Sequence, residues 1–215
     1  MRLDTTVISL KYAMFNLKYD IRSKTACRWD YMLDKKDAGD AKRPIGYYFD
    51  PGLDTTFQQH TTRSYGRSDG VSFDRGHLAR SADFTKNAFV RRQAHYITNI
   101  LPQVSTFNQG IWLQTERIAT FASNTNRVSI FGGVVFDSSS KEYFLESHGV
   151  LVPSFFYKIL VANGKCISWY IPNGSNLSKL GVYITSVNEI ERETNENFDI
   201  EPGLKDVKAG DNWEN

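Results

Sequence analysis

Cysteine is nearly absent from this chain of 215 residues. Cys27 and Cys166 stand alone, too far apart for metal-ligand spacing and too few for a disulfide framework. They read as two buried thiols, which leaves the redox compartment open. Long apolar runs are also missing: no stretch approaches the roughly 18 residues that a bilayer span needs, so no membrane partner is expected. Arg2 is followed by apolar letters broken at Thr5, Thr6, Ser9 and Lys11. No secretory signal peptide is visible there, and an exported or compartmented form stays open. Internal repeats and an interdomain linker are lacking as well, so one large domain is the economical reading.

Strong net charge is another absence, at +2 overall. Its distribution says more. From His60 to Ile130 nine Lys/Arg face four acids, a net of +5, whereas Thr185 to Asn215 carries nine acids against three bases, a net of −6. A basic middle with an acidic end points to an anionic ligand bound centrally.

What is present is a hydrophobic share of 40% and an aromatic share of 13%, enough for a substantial core. Ile8 to Asp20 reads as an early strand and Lys24 to Leu33 as its hairpin partner. Asp34 to Pro44 is a charged loop, Asp50-Pro51-Gly52 a turn, and Gln58 to Asp69 a loop feeding a site. Val71 to Leu78 is a short strand, and His95 to Leu101 another, ended by Pro102. Apolar residues from Gly110 to Ala122 recur at helical spacing, so Asn108 to Ser123 is a helix. Arg127 to Phe136 is a strand. Val150 to Val161 and Cys166 to Ile171 form a hairpin turning at Asn163-Gly164. A short helix follows, with Ser186 as cap and Glu189 three residues on. The fold expected is one α+β domain over residues 1–201, built on a mostly antiparallel central sheet with flanking helices. Residues 202–215 read as a polar, acidic, mobile tail.

The stretch from Phe73 to Glu116 gathers a histidine, side-chain amides and a carboxylate among many arginines. Water cleaves a phosphodiester when a base activates it, positive charge neutralises the pentacovalent phosphate, and the leaving alkoxide is assisted. His77 is the natural base, since imidazole titrates at about 6.5. Arginines supply bidentate charge, and a hard cation such as Mg²⁺ takes oxygen ligands while keeping most of its waters. Asn108 and Glu116 are eight residues apart, nearly on one helix face but roughly 12 Å apart along the axis. One direct ligand with one group acting through water fits that separation. Glu116 leans back toward the N-terminus, which makes Asn108 the ligand and Glu116 the holder of water.

Three blocks carry a family resemblance: Asp74-Arg75-Gly76-His77 with Leu78-Ala79, Asn99-Ile100-Leu101-Pro102-Gln103, and Asn108-Gln109-Gly110-x-Trp112 with Glu116. In that order they resemble the DNA/RNA non-specific endonuclease family, with its ββα-metal finger active site. The resemblance implies a sequence-non-specific endonuclease acting on DNA and RNA and leaving 5′-phosphate and 3′-hydroxyl ends. It implies His77 as general base, Asn108 as the direct protein ligand of Mg²⁺ (or Mn²⁺), and Glu116 as the group holding the metal's waters. Asn99 is implied to place the phosphate or the histidine. Arg75 either neutralises phosphate or holds the motif loop. An arginine upstream of the motif serves the transition state, with Arg63 the candidate and Arg67 its rival. Arg67 and Arg80 are further candidates for substrate contact. Arg80 stands where a proline is common, and His95 where many members have another polar residue. A secreted nuclease or a nuclease toxin with a cognate inhibitor or immunity protein both suit this chemistry, and a homodimer stays open.

Overall fold

The computed structural model describes residues 6–208. Among these residues ten strands form two sheets. The larger has seven strands in the order β1-β2-β3-β7-β8-β9-β10, and the smaller has three in the order β4-β5-β6. Every neighbouring pair is antiparallel.

The first expected strand is two: β1 (Val7–Lys11) and β2 (Phe15–Asp20) form a hairpin of their own. Apolar letters run straight through the turn, because Tyr12 and Met14 pack against the core from it. β3 (Thr25–Leu33) pairs with β2 and then with β7 (Val128–Val135). Gly132 and Gly133 sit where aromatic side chains cross β7. A Cβ on Gly132 would lie 2.2 Å from the Trp29 ring, and one on Gly133 would lie 2.1 Å from the Tyr157 hydroxyl.

Between β3 and β7 the chain builds β4 (Gly66–Ser68), β5 (Val71–His77), α1 (Ala88–Ala94), β6 (Ile100–Val104) and α2 (Leu113–Ala122). Helix α1 lies between Leu78 and His95, a stretch for which the sequence reading names no element. It makes about two turns, is capped by Asn87, whose side chain accepts from Val90 N at 3.0 Å, and is too short to show a period. Residues 97–99 form a 3₁₀ turn, and β6 then runs through Pro102 to Val104 rather than stopping before the proline. The small sheet explains this, since β6 is its edge and proline is tolerated where no further strand needs the missing N–H. The expected helix at Asn108 opens with a π turn over Phe107–Trp112 before α2 begins.

Beyond β7 come α3 (Leu145–His148), β8 (Phe155–Ala162) and β9 (Lys165–Pro172), then β10 (Ile184–Thr185), α4 (Val187–Thr194) and α5 (Pro202–Lys205). Val150 to Ser154, expected in a strand, lies outside β8; it makes one isolated bridge, from Val152 to Lys141. Ser186 and Glu189 cap α4 reciprocally, as their spacing predicts. The expected tail starts with α5, where Lys205 Nζ meets Glu191 Oε1 at 2.6 Å; residues 209–215 of that tail lie outside the described residues. Cys166 is buried and Cys27 half-buried, both free. No helix among the described residues is long and apolar enough to cross a membrane.

An aromatic floor fixes the π turn and α2 to the large sheet. Phe107 stacks on Trp112 at 5.4 Å, Trp112 meets Trp29 edge-on at 6.3 Å, and Phe107 meets Phe156 at 5.3 Å. All four side chains are fully buried. Asn173 ties the sheets together: its amide donates to the carbonyls of Pro102 and Pro153, and its oxygen accepts from Val104 N.

Candidate active site

β5 ends on His77, opposite Ile100 of β6. The residue before it must be glycine, because a Cβ on Gly76 would meet the buried Gln103 side chain at 2.2 Å. Asn99 secures the chain just past His77. Its Nδ2 donates to the carbonyls of Ala79 and Ala94, and its Oδ1 accepts from Ala79 N at 2.9 Å. Asn99 is fully buried, with its amide committed to backbone. From there it holds the strand exit just past His77.

Asp74, three residues before His77 on β5, organises the start of the π turn. Its carboxylate accepts from Asn108 Nδ2, Gln109 Nε2 and Ser105 Oγ, each at 2.8 Å. Burial would raise its pKa, and these three donors more than offset that and lower it. With Nδ2 committed to Asp74, the Asn108 carbonyl Oδ1 is left for another partner. The π turn that presents this residue is a device often found at functional sites.

Glu116 follows on α2. Arg80 Nε reaches its Oε2 at 3.1 Å, while Arg80 Nη1 reaches Asp83 Oδ1 at 3.3 Å and donates to Thr120 Oγ1 at 2.8 Å. Behind them Lys158 Nζ donates to Thr115 Oγ1 at 2.9 Å and sits 3.9 Å over the Trp112 ring. Burial lowers the Lys158 ammonium to about 8 against the pull of Glu116 and Asp83. Burial likewise raises the Glu116 carboxyl, opposed by Lys158 and Arg80.

His77, Arg80, Asn108, Gln109 and Glu116 line one open cleft of about 530 Å³. Arg43 and Arg91 line it too, and neither stands out in the sequence. Arg43 arrives on the loop after β3, which α1 and its flanks strap down. The Arg91 guanidinium donates to Ala41 O, Ala41 N donates to Thr85 O at 3.1 Å, and Tyr48 N donates to His95 O at 3.0 Å. His95 Nδ1 donates to Gly46 O at 3.1 Å; burial lowers the ring to about 4, so at neutral pH its Nε2 accepts from Ser81 Oγ at 2.8 Å. The available signal was the string Lys42-Arg43-Pro44-Ile45-Gly46, a basic residue beside turn formers.

The other arginine expectations fall elsewhere. Arg63 is exposed, and its carbonyl, not its guanidinium, meets His148. Arg67 folds back on Gly70 O at 2.9 Å. Arg75 donates to Thr62 O at 2.9 Å and stacks 4.0 Å over Tyr47, which favours the loop-holding role. None of the three lines the cleft.

The electrostatics suit a base. His77 Nε2 is buried without a hydrogen-bond partner. Burial, His95 and the charges of Arg43, Arg75 and Arg91 hold its pKa well below the usual value. The His95 ring stands edge-on to it at 4.8 Å. The donor set also fits a hard cation that keeps its waters: one free amide oxygen, one carboxylate, and among the described residues no cluster of three or more His, Cys, Asp or Glu.

The fold is that of a ββα-metal nuclease: β5 and β6 present the histidine, and the helix that follows presents the asparagine and the glutamate. A solved structure, that of the EndoG/EndoGI complex concerned with EndoG inhibition, superposes with a TM-score of 0.76, covering 91% of this chain and 88% of that one at 21% identity. Residues 2–207 match the model of the DNA/RNA non-specific endonuclease family, and the chain belongs to that family. Among its relatives, mitochondrial endonuclease G of Bos taurus is 26% identical over 198 residues. Nuclease C1 of Cunninghamella echinulata var. echinulata is 28% identical over 154 residues. These alignments take in 84% and 67% of this chain, and 65% and 56% of the two relatives.

Proposed function

We propose that the protein is a metal-dependent endonuclease that hydrolyses phosphodiester bonds of DNA and RNA without sequence preference. The observation that carries this is the shared cleft. His77, with a buried and unpartnered ring nitrogen, opens onto the same space as Asn108 and Glu116. Neutral at pH 7, the His77 imidazole takes a proton from the attacking water. The water oxygen bonds to phosphorus, the P–O3′ bond breaks, and the 3′ oxygen takes a proton from solvent. Product ends are then a 5′-phosphate and a 3′-hydroxyl. Arg43, rather than Arg63 or Arg67, is the upstream arginine that faces the charge building on the phosphate, and Arg91 adds to it. A Mg²⁺ ion (or Mn²⁺) held by Asn108 Oδ1 and, through water, by Glu116 would supply positive charge at the leaving oxygen.

Phosphate contacts dominate such binding, so cleavage falls steeply with salt. The solved EndoG/EndoGI complex makes a protein inhibitor a reasonable class of partner for this chain too. The deciding experiment incubates supercoiled plasmid and single-stranded RNA with the protein and Mg²⁺, against EDTA and His77→Ala. Cleavage in the first case alone supports the reading. Undiminished cleavage by His77→Ala removes His77 as the base.

A further inference from the structure

Arg80 is the one guanidinium in the cleft that binds the carboxylate meant for the metal's waters. One side chain holds two acids at once, Glu116 through Nε and Asp83 through Nη1, and the Thr120 hydroxyl fixes its far end. Asp83 is buried and its second oxygen is taken by Tyr31 OH at 2.7 Å, so it cannot turn toward the cleft. Glu116 is different. Its side chain keeps 12% exposure and faces the cleft that also holds Asn108.

The charges balance. Arg80 and Lys158 contribute two positive charges, and Asp83 and Glu116 two negative ones. A neutral group of four offers a cation no net attraction, and Asn108 brings only a neutral amide. From this arrangement, and resting on the metal assignment above, we propose that Arg80 is a built-in competitor of the divalent ion. It occupies Glu116 when the cleft holds no metal and keeps the affinity of the site low. Loss of the Arg80 charge leaves the group at −1 and frees Glu116 for the water shell. A phosphate in the cleft is an alternative acceptor for the same guanidinium, so substrate and metal would displace Arg80 together.

Position 80 suits a clean test, because its φ of −68° is the value that a proline ring imposes. Arg80→Gln and Arg80→Pro remove the charge in different ways, and Arg80→Lys keeps it. Mn²⁺ binding to the full chain is measured by titration calorimetry and by loss of free-ion paramagnetic resonance, with thermal melting confirming that each variant is folded. The Gln and Pro variants should bind Mn²⁺ about tenfold more tightly, the order expected from one unit charge near a divalent ion at partial exposure. Arg80→Lys should stay near the parent. Equal or weaker binding in folded Gln and Pro variants overturns the proposal, since Arg80 would then only support Glu116. Asn108→Ala separates the two ideas. If it abolishes Mn²⁺ binding while the Arg80 variants change nothing, only the competitor role fails. If parent and Asn108→Ala bind alike, the metal assignment fails and the competitor role falls with it.

Discussion

Asp74 Oδ2 accepts a hydrogen bond from Asn108 Nδ2 at 2.8 Å, so the first residue of one sequence block sets which way the amide of another faces. Asp74→Asn would place a donor against a donor or turn the Asn108 carbonyl away from the cleft. Groups that orient a metal ligand are typically worth 10- to 100-fold, and a loss of about that size in plasmid-nicking rate is expected. The melting temperature should move little, because Asp74 is only partly buried. An unchanged nicking rate would show that the Asn108 orientation is irrelevant.

Arg43 and Arg63 make opposite predictions. Arg43→Ala should lower kcat by about 10²- to 10³-fold, the usual cost of removing one preorganised charge from a transition state. Arg63→Ala, exposed and outside the cleft, should leave kcat near the parent value. Single-turnover cleavage of one labelled duplex with both variants checks the pair, and the reverse ranking would return the role to Arg63.

The histidines give a pH signature. Both His77 and His95 are depressed in the folded chain, His95 to about 4, chiefly by burial. The folded state therefore refuses protons that the unfolded chain takes up below about 6.5. Stability is intact above that pH and is lost as pH falls toward 4. Activity should persist below pH 6.5, because the His77 base is still neutral there. Urea melts and initial rates across pH 4 to 8 test both statements. His95→Phe should flatten the acid loss of stability, and an unaltered profile would clear His95 of that part.

Gly76→Ala places a methyl 2.2 Å from Gln103 Cδ. Overpacking of this kind costs about 1–3 kcal/mol and would also push the His77 strand. Thermal denaturation and nicking should fall together, and adding Gln103→Ala should restore much of both. A Gly76→Ala protein as stable as the parent would mean that Gln103 moves aside freely.

That His77, Asn108 and Glu116 share one cleft was legible because each lies in a compact sequence block, although the backbone between Asn108 and Glu116 starts as a π turn and not as the α-helix the spacing assumes. Arg43 was not, since it reaches the cleft only when α1 and His95 pin its loop, a tertiary event that leaves no local period. For Asn99 the block left two roles open, placing the phosphate or the histidine, and only the tertiary structure shows its amide on Ala79 and Ala94 backbone beside His77. The capping box at Ser186 and the Asn163-Gly164 hairpin followed their turn chemistry, while Pro102 does not end its strand because β6 is an edge. The π turn at Phe107–Trp112 is invisible to a 3.6-residue count.

The pairing of β3 with β7 sets an order of events. β3 ends at Leu33 and its partner begins at Val128, so every cleft residue from Arg43 to Glu116 lies inside one long closed loop. A chain emerging from the ribosome has all of those side chains before it has the strand that closes the sheet, and before Phe156 completes the aromatic floor. Long-range pairing of this kind forms late in folding. Translation, which takes place beside RNA, would therefore have to pass Phe156 before this cleft takes shape.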